Sequence, residues 1–257
     1  MADAQSIAKT LSKESLDVIA SFVGVPYYNN KHKQVRMGLR ALVGKGSPDE
    51  IAEETLLYSL REKVDFKSLL PEMKKKFLVE HNLGIDCSGL AYYILDAESA
   101  ARGKSHLRRL LSYPFANSLL SRFGRLIRSR YSENASTRTF AHESNSHEVA
   151  LLDVAPADFI VMLESGTNGQ VNHILIITQV VSIENVPNEI NYIHSIAWPA
   201  DGRFDHGIRE GKIAIKNINH PLLDQTWLEA GKTGPENFTY HKAGLAKSLS
   251  LRRLNWF

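Results

Sequence analysis

"GIDCSGLAYYIL", residues 84–95, holds the only cysteine of the chain. Asp86 stands just before an apolar run, where a helix N-cap belongs. Cys87, Leu90, Ala91, Ile94 and Leu95 recur at i, i+3, i+4 spacing, which predicts a helix with one buried face. Cys87 then sits in the first turn. Unpaired backbone N–H groups and the helix dipole favour an anion there and lower a thiol pKa. Gly89 would let another backbone approach closely, as a substrate-lined groove needs. Without a base at hand, a lone cysteine reads as a buried structural residue.

Outward from this stretch, the first half of the chain reads as helical. Residues 5–23 place Ile7, Leu11, Leu16, Val18, Ile19 and Phe22 at mostly helical spacing, and "GVPYYNN" (24–30) marks a turn. Residues 48–62 predict a second helix, with Ser47 as cap, Pro48 at its start and acids in its first turn. A further short helix is expected over 69–80. Residues 101–130 hold no Asp or Glu, but do hold Arg102, Lys104, Arg108, Arg109, Arg122, Arg125, Arg128 and Arg130. They read as a solvated helical insertion, with an anion-binding surface as the other option. Residues 131–149 are polar and aperiodic, a long loop.

The second half changes character. "DFIVML" (158–163), "HILIITQVV" (173–181), "INYIHSIAW" (190–198) and "GKIAIKNI" (211–218) are Ile- and Val-rich segments separated by Gly and Asn. They predict strands of an antiparallel meander, with "LRRLNWF" (251–257) as a last strand. Helices first and strands after is an α+β order.

Composition bounds the function. Apolar content of 43% and charged content of 23% over 257 residues suit one globular domain with a sizeable core. The net charge of +3 permits an anionic partner without demanding one. One cysteine excludes an intramolecular disulfide and every multi-cysteine zinc pattern. HExxH is absent, and no metal or cofactor is expected. Aromatic platforms and nucleic-acid motifs are also absent, which argues against a nucleic-acid partner. The first twenty residues lack a signal-peptide pattern, and no apolar run approaches the roughly 20 residues of a membrane span. A cytoplasmic protein as synthesised is the expectation, with export by another route left open.

Ten histidines are candidate bases, and two stand inside apolar strand patterns: His173 after Asn172, and His194 in "YIHSIAW". Two such histidines downstream of a helix-start cysteine fit a nucleophile, base and orienter. The third position stays open between His194 and Asp201. Turn signals at Asn185–Asn188 would set the two histidines about five residues out of register, roughly 16 Å at strand rise.

These segments resemble the NlpC/P60 family of cysteine peptidases. "IDCSGLAYYIL" is similar to the D-C-S-G segment that opens that family's catalytic helix. "PADFIVM" (156–162) approximates its "G-D-L-hydrophobic" strand, "NHILIITQV" its strand beginning with the catalytic histidine, and "YIHSIA" its "I-H-A/S" segment. "GVPY" matches an upstream "G-x-P-Y" and puts Tyr27 in the active-site lining. The resemblance implies a papain-like α+β fold, with N-terminal helices, the nucleophile helix among them, packed on an antiparallel sheet. It implies one catalytic domain over 1–257, with a helical extension (about 1–80) and a basic insertion (about 101–149). Cys87 would be the nucleophile, His173 the base and His194 the orienter. Asp86, Ser88 and Tyr27 would serve substrate binding or the oxyanion. The implied reaction is amide hydrolysis in peptidoglycan stem peptides, next to γ-D-glutamyl. Alternatives are a cysteine acyltransferase, deamidase or toxin-like protease on another substrate, or a non-catalytic binding protein. An anionic polymer or acidic protein would dock on 102–130; the oligomeric state is open.

Overall fold

The computed structural model describes residues 6–29, 40–114, 131–166 and 168–257. The fold is α+β. Its main helices are α1 (Lys13–Ser21), α2 (Pro48–Glu62), α3 (Pro71–Glu80) and α4 (Cys87–Ala101). Short helices follow at Leu107–Leu110 (α5), Tyr131–Asn134 (α6), Thr137–Ala141 (α7) and Phe238–Gly244 (α8). Among the described residues, nine antiparallel strands form one sheet: β1 (Ser6–Thr10), β2 (Ser146–Glu148), β3 (Phe159–Ser165), β4 (Val171–Ile183), β5 (Val186–Ile196), β6 (Gly207–Ala214), β7 (Thr226–Glu229), β8 (Lys232–Thr233) and β9 (Ser248–Leu254). Strands β3 to β8 run as a meander. The chain then returns so that β9 pairs with β3, and β2 covers the outer edge of β9.

Side-chain alternation gives the sheet two apolar faces. Phe159, Val161, Ile174, Ile176 and Ile193 pack with Leu90, Ala91, Ile94 and Leu95 of α4. Ile160, Met162, Leu175, Ile177, Tyr192 and Trp227 form the opposite face, with Ala243 of α8. Burying each Leu or Ile of α4 stabilises the fold by about 1.5–3 kcal/mol. Ser47 caps α2 with a reciprocal capping box to Glu50, as its sequence predicts.

Three expectations are corrected. Residues 5–23 are not one helix: Ser6–Thr10 pairs with Gln179–Ile183 of β4, and α1 begins only after the Ser12 cap. Strand β4 outruns β3, and β1 fills the edge left open, a tertiary effect that helical spacing cannot report. Residues 131–149 are not a loop, since Ser136 caps α7 and Ser146–Glu148 pairs with β9. The β4–β5 turn falls at Glu184 and Asn185, both at positive φ, earlier than the asparagine signals suggest. Of the basic segment, 115–130 lies outside the described residues. Among the described residues, no helix is long and apolar enough to cross a membrane.

Candidate active site

Asp86 caps α4, its Oδ1 accepting the Gly89 N–H at 2.6 Å, so Cys87 is the first helical residue. The cap is itself held. Lys45 Nζ, buried at 7% exposure, lies 2.8 Å from Asp86 Oδ1, 2.5 Å from Ser88 Oγ and 2.9 Å from the Ala135 carbonyl. Gly44 accepts the Asp86 N–H at 2.9 Å. Its carbonyl lies 2.6 Å from where a Cβ on Gly89 would stand, so the backbone Gly89 admits is the chain's own, not a substrate's. The side chains of Asp86 and Ser88 are spent on Lys45. Asp86 takes the backbone N–H groups of Gly89 and Leu90, and not those of Cys87 and Ser88.

The sulfur sits in a fork between two strands. Ile177 exchanges its backbone hydrogen bonds on the β3 side, so by alternation Ile174 turns its N–H toward β5. Strands β4 and β5 pair only from Ile176 and Ile193 onward to their turn. The Ile174 N–H is thereby left for Cys87, which it hydrogen-bonds. Across the fork, the Ser195 hydroxyl donates to the Ile85 carbonyl at 2.7 Å and ties β5 to the same segment.

His173 and His194 flank this fork on β4 and β5. Carried back, the Ile176–Ile193 register puts His194 opposite Leu175, one diagonal step from His173. His173 Nε2 and His194 Nδ1 are 2.6 Å apart. The pairing that the turn signals put in doubt is therefore made. Asp201 is engaged elsewhere, with Arg209 and the Trp198 N–H. By alternation both imidazoles share the face of Met162 and Leu175, while Cys87 packs with the α4 face, and among the described residues no hydrogen bond joins Cys87 to His173.

A fourth member was not read from the sequence. His194 Nε2 is 3.1 Å from Glu229 Oε1, and the Tyr192 hydroxyl donates to Glu229 Oε2 at 2.7 Å. Glu229 lies on β7, a four-residue strand with a weak pattern, so no local signal marks it. Lys45 was not read from the sequence either.

Burial shapes the electrostatics. It pushes the Cys87 thiol up, and Asp86 adds to this; Lys45, Lys242 and the Ile174 N–H offset it in part. The thiol lowering expected from helix position does not prevail. Burial, then Lys242 and His194, holds the His173 imidazole well below its ordinary value. Tyr27 bridges to Ile85, and its phenol is pushed far up by burial and by Cys87, so it stays protonated beside the sulfur. Tyr27 thus joins the site despite its distance along the chain. Among the described residues, no cluster of three or more His, Cys, Asp or Glu could hold a metal. No family model, curated protein or solved structure matches the chain.

Proposed function

We propose that the chain is a cysteine hydrolase of amide bonds, with a papain-like frame of the NlpC/P60 type and peptidoglycan stem peptides as substrate. The observation that carries this reading is the hydrogen-bonded His173–His194 pair at the strand fork where the Cys87 sulfur is lodged. A thiol at a helix start, a base and an orienter are the three parts such catalysis needs.

His173 spends Nε2 on His194, which leaves Nδ1 for the thiol. With the thiol pushed up and the imidazole down, the resting pair is neutral. His173 Nδ1 takes the thiol proton as sulfur attacks the amide carbon. The oxyanion is met by the N–H groups at the start of α4 and by the Tyr27 hydroxyl. Collapse expels the amine with the proton from His173, and water then hydrolyses the thioester by the same base.

The test is turnover of defined muropeptides by the parent and by Cys87→Ser. The parent cleaves and the serine variant does not, with its thermal midpoint nearly unchanged. Equal cleavage by both removes Cys87 from the mechanism. Binding without cleavage by the parent favours the non-catalytic alternative.

A further inference from the structure

The hydrogens of the His173–His194–Glu229 chain run in one direction only. A carboxylate accepts and never donates. Glu229 Oε1 therefore takes the Nε2–H of His194, and Oε2 takes the Tyr192 hydroxyl. Thr239 adds its own hydroxyl, while accepting the Trp198 indole N–H at 3.3 Å. Neutral His194 then carries its lone pair on Nδ1 and must accept the Nε2–H of His173 across 2.6 Å. His173 is left with its lone pair on Nδ1, the nitrogen that the hydrolase reading above assigns to the thiol. One buried carboxylate thus sets the tautomer of a base two hydrogen bonds away.

Glu229 also carries charge. Its side chain and that of His194 are both fully buried. A buried carboxylate needs a counter-charge or dense hydrogen bonding. Among the described residues, His194 is the only side chain hydrogen-bonded to it that can become a cation. Burial alone would raise the Glu229 pKa, but the His194 ring and the hydroxyl donors outweigh it and hold the group ionised. The surroundings of His173 are the reverse: Lys242 on α8 faces both it and Cys87. Arg209, opposite His194 on β6, turns to Asp201 and stacks on Trp198 at 4.5 Å. Tyr192 faces Glu229 as a phenol.

We propose that Glu229 is a positioning residue that makes His194, rather than His173, the resting place of the positive charge when Cys87 gives up its proton. The proposal rests on the hydrolase reading above. The step balances without a further reactant. The Cys87 S–H bond breaks as the His173 Nδ1–H bond forms. The His173 Nε2–H bond breaks as the His194 Nδ1–H bond forms. The products are a thiolate, a neutral His173 and a His194 imidazolium whose Nε2–H remains on Glu229. Leaving-group protonation runs the same path backward.

The test uses the full chain and iodoacetamide as the thiol probe, with the Cys87 alkylation rate followed from pH 5 to 10. Glu229→Gln keeps an acceptor for His194 and removes the charge. It lowers alkylation at neutral pH by about tenfold or more, the equivalent of one pKa unit. His194→Asn lowers it similarly, and adding Glu229→Gln to His194→Asn changes nothing more. A second measurement needs no variant: nitrogen-15 imidazole signals of the parent show both rings carrying hydrogen on Nε2. An Nδ1–H tautomer on either ring overturns the proposal. So does a parent whose His173-dependent thiol reactivity survives Glu229→Gln. A parent thiol whose alkylation is indifferent to His173 at every pH instead overturns the hydrolase reading and the relay with it.

Discussion

The Ser195 hydroxyl donates to the Ile85 carbonyl at 2.7 Å, joining residues 110 apart in sequence. Ser195 follows His194 on β5, and Ile85 precedes the cap of α4. One hydrogen bond therefore sets the spacing between the half of the site on α4 and the half on the sheet. Ile85 keeps a second partner, the Tyr28 N–H at 3.3 Å, so it is not orphaned when Ser195 is removed. Ser195→Ala should then cost about 1 kcal/mol in urea unfolding, the net worth of one hydrogen bond. It should lower Cys87 reactivity toward iodoacetamide more than stability, because small misplacements of reacting groups cost rate steeply. Unchanged reactivity with full loss of stability would show that the bond serves folding alone.

Lys45 and Asp86 form a buried ion pair, with side chains 9% and 10% exposed. Removing one member leaves the other charged, buried and unpaired. Lys45→Met should destabilise by about 3–5 kcal/mol, whereas Lys45→Met with Asp86→Asn should recover part of that loss. Asparagine still caps a helix. Chemical denaturation of the two variants measures the difference; equal instability in both would mean that Lys45 acts through packing.

What the sequence revealed and what it hid divide along one line. The Asp86 cap, the Cys87 face and the main strands were legible because each is a local pattern of caps or periodicity. The turn at Glu184–Asn185 was misplaced by a residue or two, since a glutamate at positive φ leaves no local mark. That slip alone put His194 in doubt. Strand β1 was hidden because only the free edge of β4 makes Ser6–Thr10 extended. Lys45 and Glu229 were invisible for the same reason: each gains its meaning from a partner 41 or 35 residues away.

The third position of the site can now be separated by substitution. His194 touches His173, whereas Asp201 holds Arg209 and the Trp198 N–H. His194→Ala should lower kcat by about two or more powers of ten, as expected for a lost acid–base partner, and His194→Gln should restore part of it. Asp201→Ala should leave kcat of the folded protein within a few-fold. Its cost is stability, about 3 kcal/mol for an unpaired, mostly buried Arg209. Steady-state kinetics with unfolding curves distinguishes the two; a catalytic defect in Asp201→Ala at normal stability would move the orienting role there.

The pH dependence follows from the direction of the His173 shift. Only neutral His173 can take the thiol proton, and the neutral form exists above its pKa. Burial, Lys242 and His194 push that pKa well below the ordinary value, so the base stays competent into acid solution. The acid limb of kcat/KM should therefore fall clearly below the ordinary histidine midpoint of about 6.5. Lys242→Met removes one of the opposing charges and should move the limb upward, toward neutrality. The same change withdraws a cation that favours the thiolate, so alkylation of Cys87 at neutral pH should slow. Profiles of kcat/KM from pH 4 to 9 for the parent and Lys242→Met measure both signs. A parent limb at or above the ordinary midpoint, or a downward move in Lys242→Met, would show that His173 is not the base that sets it.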